Sequence, residues 1–222
     1  MCSAMERMIH HSVVKLIPLL AAMAIPVTME SFKPHFSSQP KGDVHKAYDL
    51  LGRVLSAEEA SHFRLKFASP GDCGNDGRSC FSLRDDPDSG ELVVTGTTVS
   101  EITAGIGHYL RQMCNVTIGW PRGGGSSLLI PQTWPTIGTK PLIKHRVVPW
   151  SYLMNVCTHS YTLVWYDWAD WERFIDWLAL SGINNILALT GQEEIQYKVF
   201  QKLGLSDMDI RTWFNGPAFR KL

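Results

Sequence analysis

The stretch Trp150-Ser-Tyr-Leu-Met-Asn-Val-Cys-Thr-His-Ser-Tyr161, followed by Trp171-Glu-Arg-Phe-Ile-Asp-Trp-Leu-Ala-Leu-Ser-Gly182 and Ile183-Asn-Asn-Ile-Leu-Ala-Leu-Thr-Gly-Gln-Glu193, decides the fold. It reads as strand, loop, helix and strand, with polar groups where each strand stops. Trp168, Trp171, Ile175 and Leu178 recur on one helical face, which the periodicity assigns to the core. Gly182 ends the helix, and the branched run Ile183–Leu189 is the next strand. Strand, helix and strand in that order form a parallel crossover unit, the repeating element of a βα barrel.

Residues 144–222 therefore read as the first βα units of a TIM barrel, with His145-Arg146-Val147-Val148 entering its first strand. Ser206 with Asp209 opens a further helix, which Asn215-Gly216-Pro217 stops. This stretch is about 80 residues long, against the roughly 250 that a complete barrel uses. The barrel is expected to remain incomplete within this chain.

Upstream, Pro131 to Pro141 is rich in Pro, Thr and Gly, so residues 131–143 read as a connector. Residues 40–130 read as a small α+β domain. Val44, Ala47, Leu51, Val54 and Leu55 mark a helix, and His62–Phe67 alternates as a strand. Cys80–Leu83 and Glu91–Thr95 are two more strands across a turn-rich Asp85–Gly90, and Ile102, Ile106, Tyr109 and Leu110 face one way on a second helix. Helices on one face of a small, largely antiparallel sheet are expected. The fold class is α/β overall. Gly123-Gly124-Gly125 has no following Gly-Lys-Ser/Thr, which excludes a phosphate loop.

The first 24 residues read as a secretory signal peptide: Arg7 and Lys15 precede the apolar run Leu19–Ile25, and Ala22-Met23-Ala24 has the small-x-small form of a cleavage site. That run is shorter than the roughly 20 residues that cross a bilayer, so no membrane association is expected once the signal is removed. Asn115-Val116-Thr117 is a glycosylation sequon, with Asn115 the acceptor. In an oxidising compartment Cys73 can close a short loop with Cys80, while four unpaired thiols are the alternative. The cysteine spacing has no partner pair or spaced histidines, so no metal is expected. Lys and Arg total 21, and so do Asp and Glu; the absence of net positive charge argues against non-specific nucleic-acid binding.

In a βα barrel, chemistry gathers at the carboxyl ends of the strands. Asn155 and Cys157 follow the first strand: a carboxamide there donates to and accepts from sugar hydroxyls, and a thiol lines an apolar wall. The plain alternative is that Asn155 caps a turn and Cys157 is a small buried hydrophobe. Gln192 and Glu193 hold the equivalent place after the second strand. Glu193 alone makes no glycosidase, because cleavage of a glycoside needs two carboxyls about 5–9 Å apart; Asp167, Asp170, Glu172 and Asp176 belong to the crossover helix. Tyr161, Trp165, Tyr166 and Trp168 present faces able to stack on sugar rings, against a core role. His159 reads as structural.

The segments 154–161, 165–173, 175–184, 191–193 and 214–219, and less distinctively Val94-Thr95-Gly96 and Gly105–Arg111, resemble glycoside hydrolase family 89, the α-N-acetylglucosaminidase family. The resemblance implies a lysosomal exo-glycosidase that removes terminal α-linked N-acetylglucosamine from heparan sulfate with two glutamates in a retaining mechanism, with no cofactor or metal. It places both glutamates in later barrel strands, so no catalytic residue is assigned here. Asn155 and Cys157 match pocket positions, and Gln192 with Glu193 match the strand-end motif near the pocket. The chain departs from the pattern at Glu194 and Gln196 and at Arg220-Lys221-Leu222, where relatives continue with an apolar residue and a tryptophan; a truncated product is expected. The alternative function is a non-catalytic product that binds glycans or a partner.

Overall fold

A computed structural model describes residues 41–69, 71–73, 77–122, 129–155, 157–158, 161–187 and 191–214. The expected signal peptide, the Gly123–Ser127 turn, His159, Thr190 and the stretch from Asn215 onward lie outside them. The described residues contain no helix long and apolar enough to cross a membrane.

The chain first forms helix α1 (His45–Val54), which buries Ala47, Leu50 and Leu51. A one-turn helix α2 (Ala57–Ala60) follows, which the sequence reading overlooked; Ser56 and Glu59 close it with a reciprocal capping box. Strands β1 (Phe63–Phe67), β2 (Cys80–Asp85) and β3 (Leu92–Gly96) come next, then helix α3 (Val99–Gln112) and strand β4 (Leu142–His145). These four strands make one sheet in the order β1-β3-β2-β4. β2 runs antiparallel to β3 and β4. β1 pairs in parallel with β3, so the sheet is mixed.

Register decides which side is core. Phe63 faces Leu92, Leu65 faces Val94, Leu83 faces Val94, and Lys144 faces Phe81. Cross-strand partners share a face, so Phe63, Leu65, Phe81, Leu83, Leu92 and Val94 form one surface. α1 and α3 supply Leu50, Leu51, Ile102, Ile106 and Leu110 to the same cluster. A β-carbon on Gly105 of α3 would lie 3.0 Å from Val94 Cγ1 and 3.3 Å from Phe81 Cβ, so α3 lies close on this surface.

β4 departs from expectation. The strand is Leu142–His145, and it belongs to the first sheet; Val147 is 88% exposed. Thus the connector expected over 131–143 ends inside a strand. Asp85 secures that segment by accepting from the Ile137 and Gly138 amides at 2.8 and 2.6 Å. Tyr109 donates its hydroxyl to Pro135 O at 2.6 Å.

Strand β5 (Tyr152–Leu153), helix α4 (Trp168–Leu180) and strand β6 (Asn185–Ile186) form the expected crossover unit, with β5 and β6 parallel. Each strand is only two residues long. α4 presents a different face from the expected one: Phe174, Asp176, Leu178 and Leu180 are buried, while Trp168 is 70% exposed and Ile175 is exposed. Trp120 explains the rotation, because its ring stands 5.0 Å from Phe174 and 5.1 Å from Trp177 and draws that stripe inward. Helices α5 (Gln192–Lys202) and α6 (Asp207–Trp213) follow, the latter capped by Ser206 as expected.

α3 and α4 meet through a second glycine. A β-carbon on Gly107 would fall 1.9 Å from Leu180 O, an impossible contact. Arg111 of α3 donates to that carbonyl at 2.8 Å, and Arg53 of α1 clamps Asp176 of α4 with bonds of 2.7 and 2.6 Å. A disulfide joins Cys73 to Cys80 with α-carbons 5.9 Å apart, so the pairing alternative holds over four free thiols. Cys114 stays a buried thiol, pushed up to about 11 by burial, and packs as a neutral small hydrophobe.

Gly107→Ala is expected to cost about 2–3 kcal/mol, the scale of overpacking against an unyielding neighbour. Gly52→Ala in α1, where a β-carbon would meet nothing within 4 Å, should stabilise by about 0.5–1 kcal/mol through helix propensity. Urea unfolding of the two variants gives the comparison; equal effects would refute the role assigned to Gly107.

Candidate functional site

The site begins where β5 stops. Met154 has φ 94°, a conformation that L side chains rarely adopt, and it turns the chain away from the strand. The next residue, Asn155, accepts from the Cys157 and Thr158 amides through Oδ1 at 2.9 and 3.2 Å. Thr158 Oγ1 donates back to Asn155 O at 2.6 Å. Asn155 therefore caps its own turn, and it is exposed. Cys157 is also exposed, so it is not the small buried hydrophobe of the plain reading.

After β6, Gly191 has φ 83° and serves as N-cap of α5. Gln192 and Glu193 are the first two residues of that helix, Gln192 exposed and Glu193 half-buried. Acidic side chains in a first turn complement the helix dipole, which gives Glu193 and Glu194 a structural reason to stand there. Glu194 also pairs with Lys198 at 3.0 Å. Because β5 and β6 run parallel in the register Tyr152–Asn185 and Leu153–Ile186, the Asn155–Cys157 turn and the Gln192–Glu193 helix start both lie beyond carboxyl ends of the same small sheet.

Behind these ends stands a layer that sequence reasoning missed. Asn184 Oδ1 accepts from the Ser151 amide at 2.8 Å, and Asn184 Nδ2 donates to Pro149 O at 2.9 Å. Ser151 O takes the amides of Asn184 and Asn185. Arg146 donates from Nη1 to Ser151 Oγ at 3.1 Å, from Nη2 to Gly182 O at 2.9 Å, and from Nε to Glu101 Oε1. Glu101, only 1% exposed, also accepts from Thr98 Oγ1 and, at 3.4 Å, from Thr97 Oγ1. One buried carboxylate thus holds a guanidinium that reaches the entry of β5 and the turn before β6. Two adjacent asparagines at the head of an otherwise apolar strand were the signal available in the sequence.

The carboxylates of α4 are structural. Asp167 accepts from the Asp170 amide as the helix cap at 3.0 Å. Asp170 is bound by Arg122, whose guanidinium holds that carboxyl below its ordinary value. Asp176 is held by Arg53. No described group of His, Cys, Asp and Glu side chains has the arrangement to hold a metal ion. Tyr152, Tyr161 and Trp165 are exposed, as is Trp168, while Tyr166 stacks edge-on against Trp171 and Phe174.

Two family models match the chain: the Alpha-N-acetylglucosaminidase (NAGLU) N-terminal domain over residues 45–136, and the Alpha-N-acetylglucosaminidase (NAGLU) tim-barrel domain over residues 151–222. Human alpha-N-acetylglucosaminidase is 44% identical over 126 residues, which is 57% of this chain and 16% of the human protein. Among solved structures, a family 89 glycoside hydrolase from Clostridium perfringens in complex with 2-acetamido-1,2-dideoxynojirimycin matches with TM-score 0.68 at 28% identity. A glutamate-to-glutamine double variant of the Clostridium enzyme, bound to its substrate GlcNAc-alpha-1,4-galactose, matches with TM-score 0.69 at 29% identity. Both matches cover 80% of this chain and 19% of theirs. The chain spans about a sixth of the human relative's length and about a fifth of the bacterial one's.

Asn155→Ala should cost about 1 kcal/mol by removing the acceptor for two amides, whereas Asn155→Asp keeps the acceptor and should stay within about 0.5 kcal/mol of the parent. Chemical unfolding distinguishes the two; an Ala variant as stable as the Asp variant would show that the turn does not depend on this side chain. Glu101→Gln should cost about 3–5 kcal/mol, because it leaves the buried Arg146 charge without its counter-ion.

Proposed function

The chain belongs to the alpha-N-acetylglucosaminidase family, glycoside hydrolase family 89, and on that premise we propose that it forms the N-terminal α+β domain and the opening βα units of an exo-glycosidase acting on terminal α-linked N-acetylglucosamine. Asn155, Cys157, Gln192 and Glu193 are proposed to contribute one wall of the sugar pocket. The parallel pairing of β5 with β6 carries this reading, because it sets the turn after one strand and the helix start after the other at the same edge. Heparan sulfate is the proposed glycan, on the family resemblance.

Hydrolysis itself is proposed to require residues other than these. Glycoside cleavage uses an acid and a second carboxylate on opposite faces of the bond. At the described strand ends Glu193 is the acidic candidate; Glu194 pairs with Lys198, Asp207 with Arg211, Asp176 with Arg53 and Asp170 with Arg122, and Asp167 caps α4. Because β4 pairs with β2 in the first sheet, the proposed division between the domains falls between β4 and β5.

Passage through the secretory pathway is proposed from the residues themselves, and the lysosome as its destination on the family resemblance. Asn115 is exposed with φ 56° just past the end of α3, Thr117 is exposed beside it, and the Cys73–Cys80 disulfide fits an oxidising compartment. Asn115 is the proposed glycan acceptor.

A second reading, a non-catalytic glycan binder, draws on the exposed Tyr152, Tyr161 and Trp165. One pair of measurements separates the two. Incubated with a chromogenic α-N-acetylglucosaminide, the 222-residue chain should release no more chromophore than buffer; turnover at the rate of a complete family enzyme would overturn the assignment of the paired acids to other strands. Retention on immobilised heparan fragments, lost on desulfation, would favour the binding role.

A further inference from the structure

The connector between α3 and β4 is pinned at three places by side chains of the first layer. Trp134 lies flat on His62, with ring centroids 4.5 Å apart and planes 9° from parallel. Pro135 O accepts from the Tyr109 hydroxyl, and the Ile137 and Gly138 amides donate to Asp85. His62, one residue before β1, is half-buried among rings. Besides the Trp134 face it meets Phe63 edge-on at 5.7 Å and Tyr109 at 6.5 Å, and Trp134 in turn touches Phe63 and Tyr109 at 5.6 and 6.1 Å. Of the three attachments, the histidine is the one whose side-chain type changes charge between about pH 5 and 8.

The charged groups around this imidazole are bonded elsewhere. The pairing of Phe63 with Leu92 sets His62 beside Glu91, and Asp85 stands on the other side of Leu92. Glu91 is held by Arg64 and Ser89, and Asp85 by the two connector amides. Arg64, two residues on, also pairs with Asp86. From α2, Glu59 offers its carbonyl to the His62 amide while its carboxylate accepts from the Ser56 amide, and Glu58 is exposed. From α3 and its end, Tyr109 and Cys114 are both pushed up by burial and stay neutral. The connector's own charge, Lys140, is exposed. Burial therefore outweighs the pull of Asp85 and Glu91 and holds His62 below its ordinary value.

We propose that the His62–Trp134 stack is an acid-sensitive latch on the connector: the neutral imidazole keeps Trp134 flat against the first layer, and protonation releases Trp134 together with residues 135–138. Linkage sets the direction. A histidine that titrates lower in the closed state binds its proton more tightly in the open one, so acid favours opening. The latch is at full strength above pH 6.5, loosens as the pH falls below it, and is weakest below the closed-state value. For each unit by which His62 titrates below 6.5, the open fraction gains at most about tenfold. The latch lies away from Asn155 and Gln192 and does not rest on the glycosidase reading.

Hydrogen exchange of the whole chain between about pH 8 and about pH 5, read as protection of the Ile137 and Gly138 amides corrected for their intrinsic rates, tests it. Protection should fall with acidity across the range in which His62 titrates. NMR titration of the His62 ring should give a value below 6.5. His62→Phe keeps a flat ring for Trp134 and removes the titrating group, so its protection should stay constant with pH. Asp85 is present in both chains, and a pH dependence that survives in His62→Phe would assign the loosening to another group and overturn the proposal. Titration of His62 at or above 6.5 would overturn it too, since the indole face would then be holding the imidazolium as a cation–π partner.

Discussion

The buried pair of Glu101 and Arg146 is the contact on which the two parts of this chain depend. Glu101 sits in the first turn of the helix that covers the sheet, and Arg146 follows the last strand of that sheet. A carboxylate taken out of water is tolerated only with its charge matched and its oxygens bonded, and Arg146, Thr97 and Thr98 provide both. The remaining donors of Arg146 then fall on Ser151 and Gly182, where the crossover unit begins and turns. Folding of the first layer thereby fixes where β5 starts and where α4 hands over to β6.

Close backbone approach does the same work at the neighbouring contact. Gly105 and Gly107 lie on different sides of α3, the first against the sheet and the second against the end of α4. Glycine at both positions lets one helix act as a spacer with almost no thickness of its own. α3 is accordingly buried around most of its circumference, including Glu101, Thr103 and Tyr109. The price of removing polar groups such as Thr103 from water is met locally, by its hydroxyl bond to Ser100 O.

The candidate pocket edge is built from turns that satisfy their own hydrogen bonds. Asn155 caps the chain after β5, and Gly191 starts α5 in a left-handed conformation that spares a side chain. Met154 adopts φ 94° at the bend between strand and turn. Side chains offered to a ligand from such a framework are held by the backbone behind them, which in turn hangs from Asn184 and Ser151.

Local pattern was enough to read much of this from the chain: the helix around Leu51, the strands around Leu65 and Val94, the crossover order, the Ser206 cap and the Cys73–Cys80 link each depend on near neighbours or short spacings. The assignment of Asn155, Cys157, Gln192 and Glu193 to strand ends was likewise legible, because it needs only the order of elements. Tertiary structure alone decided the rest. Which stripe of α4 turns inward depends on Trp120, more than fifty residues before the Phe174 and Trp177 that it touches; periodicity finds that a helix has faces, and a distant partner chooses among them. β4 joined the first sheet because β2 offered it an edge, and the parallel placement of β1 beside β3 likewise lies outside any local signal. The pairing of Glu101 with Arg146 had no signal in one dimension, since charge pairing across forty-five positions leaves no mark on either neighbourhood.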